Sequence, residues 1–140
     1  MEPIRKTADD LLGVQDELIG REPIFHRPEH GTTREAFESM TAEEFWETGA
    51  SGRRYSRDFV IDTAVKRYLM AQADPWRAED FYCQMVAPGH YLLTYTLHQG
   101  PRVTRRATLW RALKDRWVAV YHQGTMVEGF DKIPQLPGAR

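Results

Sequence analysis

Apolar residues recur at helical spacing in two stretches of the chain, and capping signals mark further helix starts. Across 7–21 the aliphatic side chains return every three or four positions, which predicts an amphipathic helix. A Thr followed three residues later by Glu is a capping box, and it opens a predicted short helix at 32–40 and recurs at 41–44. Ser56 is expected to cap a helix that runs to about residue 70. The segment 23–31 holds two prolines and is predicted to be a loop.

The hydrophobic period changes in the second half of the chain from that of a helix to that of a strand. A short strand is expected at 45–49, with a turn at 51–54, and a break at 73–75 precedes the change of period. Four strands then follow in succession, joined by short turns that make neighbours antiparallel. They are predicted at 79–87, 91–99, 102–113 and 117–125.

Polar residues interrupt the last two of these strands, although both strands otherwise look buried. A buried polar group needs a partner or a function. Strict alternation along the final strand places His122 on one face with Val118 and Val120. The same rule assigns the opposite face to Trp117, Ala119, Tyr121 and Gln123.

Length and composition indicate one soluble globular domain, expected at 1–127 with a C-terminal tail at 128–140. A net charge of -1 offers no long-range attraction for nucleic acid, so no nucleic-acid partner is expected. The single cysteine, Cys83, fits a reducing compartment, and no segment is apolar enough to anchor the chain in a membrane. We therefore expect a cytoplasmic protein.

Two segments carry a resemblance to a known fold family. Residues 45–57, with their strand-turn-helix pattern, and the final Trp117-x-x-x-Tyr121-His122-Gln123-Gly124-Thr125 resemble the nuclear transport factor 2-like superfamily. That superfamily includes SnoaL-like cyclases, ketosteroid isomerases and scytalone dehydratase, and the likeness is closest to a bacterial branch of unknown function. It extends over roughly 7–127.

The resemblance implies an α+β fold in which a curved antiparallel sheet wraps around N-terminal helices as a cone, also called a cystatin-like roll. It also implies a pocket inside the cone and a homodimer formed across the outer face of the sheet. Enzymes of the superfamily hold an Asp or His in the cone as general base. This sequence has no Asp at the expected mid-strand position, which argues against steroid isomerase activity.

Two residues are candidates for proton transfer. His122 has an ordinary pKa close to neutral pH, and Glu47 would gain a raised pKa if its strand faces an apolar cone. Each has a structural alternative. For His122 it is a core histidine bonded to a backbone carbonyl or to Glu47. The alternative for Glu47 is that it faces solvent or pairs with Arg106 or Arg111.

Other polar and aromatic residues are candidates for contact with a ligand. Arg106, Thr108 and Trp110 share one strand face, and Thr94, Thr96 and His98 share a face of the neighbouring strand, so a polar cluster at a pocket mouth is one interpretation and a solvated ladder the other. The ligand-binding candidates are Trp46, Tyr55, His98, Arg106, Thr108, Trp110 and Tyr121. No cofactor is expected, and no metal is expected because His26, Glu29 and His30 lack a further nearby ligand.

Three functions are compatible with these residues. The first is a small-molecule-binding domain with a partly apolar pocket and no strong catalytic activity. The second is an isomerase, dehydratase or cyclase-like enzyme that uses His122 or Glu47 as base, with Tyr55 or Tyr121 as donor. The third is a protein-interaction or immunity protein that holds a partner through the loop 23–31 and an arginine-rich edge.

Overall fold

A computed structural model of the protein describes residues 1–70 and 75–128. Short 3-10 helices lie at Asp9–Leu11 and Pro28–His30. The α-helices are α1 (Leu12–Ile19), α2 (Arg34–Ser39) and α3 (Arg57–Leu69). The strands are β1 (Thr41–Thr48), β2 (Arg54–Ser56), β3 (Arg77–Ala87), β4 (His90–Gln99), β5 (Arg102–Ala112) and β6 (Trp117–Met126).

Helix capping agrees with the sequence at one end and differs at another. Ser56 caps α3, since its Oγ accepts a hydrogen bond from the Phe59 amide at 3.2 Å. Helix α2 is capped by Thr33 and not by Thr32, because the Thr33 Oγ1 accepts from the Ala36 amide at 3.1 Å. The second capping box was wrong. Its threonine, Thr41, opens strand β1, and its hydroxyl donates back to the Phe37 carbonyl at 2.9 Å.

Six strands form one curved sheet in the order β2-β1-β6-β5-β4-β3. The predicted succession of four antiparallel strands is confirmed for β3 to β6. Gly89 in the β3–β4 turn and Gly100 in the β4–β5 turn adopt the left-handed conformation that these tight turns need. β1 pairs antiparallel with β2 but parallel with β6. The one parallel pair brings the start of the sheet against its end, next to the residues of the final hairpin.

A β-bulge in β6 changes which side chains share a face. Trp110 lies opposite Ala119, whereas Thr108 lies opposite His122, so the register shifts by one residue between these pairs. Because Trp110 and Thr108 are two residues apart on β5, Ala119 and His122 point to the same, inner face. The prediction that grouped His122 with Val118 and Val120 was therefore wrong, since it assumed strict alternation.

The core lies between the inner face of the sheet and the helices. Helix α3 contributes Val60, Ile61 and Ala64, which are buried against sheet residues such as Phe45 and Leu97. No helix within 1–70 or 75–128 is long and apolar enough to cross a membrane. The predicted break at 73–75 and the predicted tail at 128–140 lie outside the described residues, apart from Pro75 and Glu128.

Candidate functional site

A cavity of about 290 Å3 lies between the inner face of the sheet, helix α3 and the loop that follows α1. This volume is at the lower end of the range for small-molecule sites. Its apolar wall is built by Ile24, Phe25, Phe59, Val60, Ala64 and Leu97. Its polar groups belong to His26, Glu47, Tyr55, Thr63, Arg67, Tyr95, Gln99, Arg106 and His122.

Below the cavity, a fully buried carboxylate holds three elements together. The Oε1 atom of Glu22 accepts hydrogen bonds from the Ile24 amide at 2.9 Å and from the Tyr95 hydroxyl at 2.7 Å. Its Oε2 atom accepts from the indole of Trp110 at 3.0 Å, and the Thr108 hydroxyl also donates to the carboxylate. Burial raises the pKa of Glu22, and these hydrogen bonds oppose that rise.

His122 continues this network into the cavity, and its partners fix where its proton lies. Arg106 Nη1 is 3.4 Å from His122 Nε2, and a guanidinium can only donate, so Nε2 must be an acceptor. The proton of the neutral ring is therefore on Nδ1, which donates to the Thr108 Oγ1 at 2.7 Å. The Thr108 hydroxyl in turn donates to Glu22, and the chain of donors ends on a carboxylate.

The same surroundings make His122 a weak base. Burial, followed by the positive charges of Arg106 and His26, lowers the pKa of His122 to about 3. The one lone pair that could accept a proton already accepts a hydrogen bond from Arg106. At neutral pH His122 is suited to orient Arg106 and poorly suited to remove a proton from a substrate.

Arg106 presents a guanidinium to the cavity on a surface that a glycine leaves open. Its Nε donates to the Thr104 Oγ1 at 2.9 Å. Gly124 is its register partner on β6, and a Cβ atom at Gly124 would lie 2.8 Å from Nη1 and 2.9 Å from Cζ. Only glycine leaves room for the guanidinium in this position. Burial lowers the pKa of Arg106, although the negative charges nearby counteract this.

Glu47 faces the cavity from β1, between Tyr55 on β2 and His122 on β6. Burial raises the pKa of its carboxyl group, and the positive charge of Arg106 opposes the rise. Within the described part of the chain the carboxyl group has no hydrogen-bond partner. Of the two predicted bases, Glu47 is the one whose pKa is raised, whereas that of His122 is lowered.

The structure brings some of the predicted site residues together and separates others. Glu47, Tyr55, Arg106 and His122 line the cavity. Thr108 and Trp110 lie on the same face of β5 but are buried below it, bonded to His122 and Glu22.

Three other candidates lie on the outer face of the sheet. Trp46 packs against Tyr121 there, with ring centroids 4.6 Å apart and the ring planes tilted by 55°, and Trp46 is 44% exposed. His98 contacts Glu79, with His98 Nε2 2.7 Å from Glu79 Oε2. The polar cluster that the sequence predicted around Arg106 and His98 is therefore split between the two faces. Arg106 lies opposite Tyr95 on the inner face, and His98 lies opposite Val103 on the outer face.

Several residues of the site were missed by sequence reasoning. Glu22, Tyr95, Gln99 and Gly124 were not singled out, and neither was the face of α3 that closes the cavity. Glu22 offered one signal, since a glutamate beside the apolar segment Ile24-Phe25 is a candidate for burial. The buried Oε1 of Gln99 has no hydrogen-bond partner within residues 1–70 and 75–128.

The two histidines of the loop 23–31 have different surroundings. His26 lines the cavity, whereas the His30 Nε2 lies 2.9 Å from the Gly20 carbonyl oxygen. Glu29 lies 3.5 Å from the guanidinium of Arg27. Among the residues that the structure describes, no group of three or more His, Cys, Asp or Glu side chains is placed to hold a metal ion.

The chain is similar to known proteins in structure, whereas the sequence comparisons found no match. No family of known sequences matches the chain, and no curated protein sequence is significantly similar to it. A nuclear transport factor 2-like protein from Cytophaga hutchinsonii superposes with a TM-score of 0.61 at 12% identity, over 80% of this chain and 97% of that one. A protein with a cystatin-like fold from Caulobacter vibrioides gives 0.61 at 14% identity, over 89% and 94%.

A third solved structure gives the same result. It is a nuclear transport factor 2-like protein of unknown function in nutrient uptake from Rhodospirillum rubrum, with a TM-score of 0.60 at 9% identity over 85% of this chain and 99% of that one. Identities this low carry the fold and leave the function open. The chain thus has the nuclear transport factor 2-like fold that its strand order and its segments 45–57 and 117–125 predicted.

Proposed function

We propose that this protein is a small-molecule-binding domain whose ligand occupies the cavity between α3 and the inner face of the sheet. The observation that carries the proposal is the state of the polar groups there. The Glu47 carboxyl group and the Gln99 Oε1 have no hydrogen-bond partner among the described residues, although both line the cavity. Buried polar atoms such as the Gln99 Oε1 are normally paired, so a ligand is the partner that we expect for it.

The opening of the cavity supports the same proposal. Phe59 is 53% exposed on α3 and stacks on Tyr55, with ring centroids 5.0 Å apart. This aromatic pair borders the cavity and offers apolar surface to an incoming molecule. Thr63, one helical turn further along α3, is exposed at the same rim.

The proposal is tested by closing the cavity from its rim. Thr63→Trp places a large ring at the rim, and Lys66→Trp places the same ring on an exposed position of α3 that does not line the cavity. A fluorinated fragment library is screened by ligand-observed NMR against wild type and both variants. We expect hits that are lost in Thr63→Trp and kept in Lys66→Trp. Hits that bind equally to both variants, or no hits to wild type, would contradict the proposal.

A second candidate function is proton transfer on the bound molecule, with Glu47 as the base. It is favoured by the raised pKa of Glu47 and by the Tyr55 hydroxyl group on the neighbouring strand. The test is exchange of the α-protons of small ketones in deuterated water, followed by NMR. Catalysed exchange that is lost in Glu47→Gln and kept in the outer-face variant Glu79→Gln would support an enzyme, and exchange at the buffer rate with wild type would exclude this role for the ketones tested.

A further inference from the structure

The guanidinium of Arg106 is the feature of the cavity that indicates a class of ligand. Its two protein acceptors, Thr104 Oγ1 and His122 Nε2, are both uncharged. Within the described residues no acceptor takes the hydrogens of Nη2, and no carboxylate forms an ion pair with the group. A buried charge is costly unless an opposite charge meets it. The negative charges of Glu47 and Glu22 act on Arg106 from a distance, so an anion in the cavity would be its first direct ion-pair partner among the described residues.

The charged residues near Arg106 leave space in the cavity for an anion beside its guanidinium. The carboxylate of Glu22 is already used by four donors, from Ile24, Tyr95, Trp110 and Thr108. The second guanidinium of the cavity, that of Arg67, donates to the Phe25 carbonyl at 2.6 Å and adds positive charge on the helix side. Glu47 is the one carboxyl group among the described lining residues.

Glu47 would repel an anion if it stayed ionised. Burial raises the pKa of Glu47, and the positive charge of Arg106 opposes the rise. A protonated carboxyl group becomes a donor, and it can give its hydrogen to an oxygen of the ligand. In its protonated form Glu47 would add a donor from β1 to those of Arg106 on β5, since both residues line the cavity.

We propose that the cavity takes a small monocarboxylic acid with an apolar body, whose carboxylate is held by the guanidinium of Arg106 while its body lies against α3 and β4. This inference rests on the proposed binding function and names its ligand class. The apolar body is indicated by Ile24, Val60 and Leu97, which line the same cavity. A planar guanidinium matches a carboxylate with two parallel hydrogen bonds, which a neutral amide cannot accept as well.

The test compares acids with neutral molecules of the same shape. Phenylacetate is titrated against phenylacetamide, and the acids from butanoate to decanoate against their primary amides, by isothermal titration calorimetry. Charge-assisted hydrogen bonds differ from neutral ones by enough to predict that the best acid binds about tenfold tighter than its amide, or more. Added salt is expected to weaken the acid more than the amide.

Matched variants locate the effect. Arg106→Met is expected to abolish the preference for the acid. Arg106→Lys keeps the positive charge and serves if Arg106→Met folds poorly. It should retain part of the preference. Arg105→Gln is the control, because Arg105 contacts Asp80 and Thr96 on the outer face of the same strand. It should bind like wild type.

The outcomes distinguish this inference from the function on which it rests. If acid and amide bind equally well in the cavity, the carboxylate assignment is wrong and the binding function stands. The same conclusion follows if no acid and no amide binds, while other fragments bind wild type and lose binding in Thr63→Trp. A preference for the acid that survives in Arg106→Met would place the anion elsewhere and also overturn the assignment.

Discussion

His122 shows how neighbouring residues decide the chemistry of a single side chain. Its type and strand position indicated a base near neutral pH, but whether it faced a cavity or a filled core was left open by the sequence. The weak basicity of His122 could not be inferred from the sequence, because it depends on Arg106. Arg106 lies two positions along β5 from Thr108, the residue opposite His122. The sequence identifies His122 as a candidate, and the pairing of the strands determines which of its ring nitrogens donates and which accepts.

The lowered pKa of His122 predicts a pH dependence of stability. An unfolded histidine takes up a proton near its ordinary pKa of 6.5, whereas His122 in the folded protein does so only near 3. As pH falls through this window the unfolded state binds a proton that the folded state does not, so His122 makes the folded protein less stable. From pH 7 to about pH 5 the loss from this one group is about 2 kcal/mol.

Urea unfolding at several pH values checks this for wild type and His122→Gln. The difference in free energy of unfolding between the two should change by about 2 kcal/mol across the interval, to the disadvantage of wild type at low pH. Parallel curves would show that His122 titrates in the folded protein as it does in the unfolded chain.

Gly124 predicts a separate effect at the same site. In Gly124→Ala the new Cβ must displace the Arg106 guanidinium, and the backbone at Gly124 needs no left-handed conformation, so the strand itself tolerates alanine. Acid binding should weaken about tenfold while the protein stays folded. Gly13→Ala is the matched control, since nothing lies within 4 Å of the added methyl group. It should leave binding unchanged and stabilise α1 by up to about 1 kcal/mol.

At the scale of elements, the pattern of apolar residues predicted the four consecutive strands and the capped helix α3 with ends close to those observed. It failed where a feature has no local signal. The bulge in β6 depends on how β5 pairs with it, and the parallel pairing of β1 with β6 joins segments far apart in the chain. Both depend on contacts between strands and not on the residues of one strand.

Glu22 ties three elements together, which gives an element-scale prediction. Glu22→Gln keeps the shape of the side chain but turns an acceptor into an amide group that faces buried donors. Losing these hydrogen bonds should lower the free energy of unfolding by about 2 to 3 kcal/mol. Thermal or urea unfolding measures it.

Glu17→Gln is the control for that change, because Glu17 Oε2 also accepts from an indole, that of Trp117 at 2.8 Å, but on the exposed side of α1. Its loss should be below about 1 kcal/mol. Equal losses in the two variants would mean that burial of the Glu22 network adds nothing to stability.

The two faces of the whole sheet have different surroundings. The inner face holds the core and the cavity, whereas the outer face shows Trp46 and Tyr121 near one edge. On its other half the N-terminal segment is held by an ion pair of 2.8 Å between Arg5 and Asp80. The order of elements was enough to predict this two-sided layout. That Trp46, Tyr121 and His98 all lie on the outer face was not predictable, since one residue of register reverses a face.

The exposed aromatic pair is the place where we expect two copies of the chain to meet. Light scattering after size exclusion, over a range of concentrations, should give a dimer for wild type and a monomer for Trp46→Arg, which puts a charge into an apolar contact. Leu69→Arg, an equally drastic change at an exposed position of α3, should remain dimeric. A monomeric wild type would contradict the expectation.

The bulge at Val120 also acts as a phase shift between two parts of one strand. On its near side Ala119 is completely buried, and on its far side His122 joins the polar chain that ends on Glu22. Val120 is the extra residue of the bulge, so deleting it would leave Ala119 and His122 two residues apart, and ordinary alternation would keep both on the inner face. One residue inserted between Tyr121 and His122 would instead turn His122 to the outer face, away from Thr108. The strand should therefore tolerate loss of Val120 better than an insertion beside it.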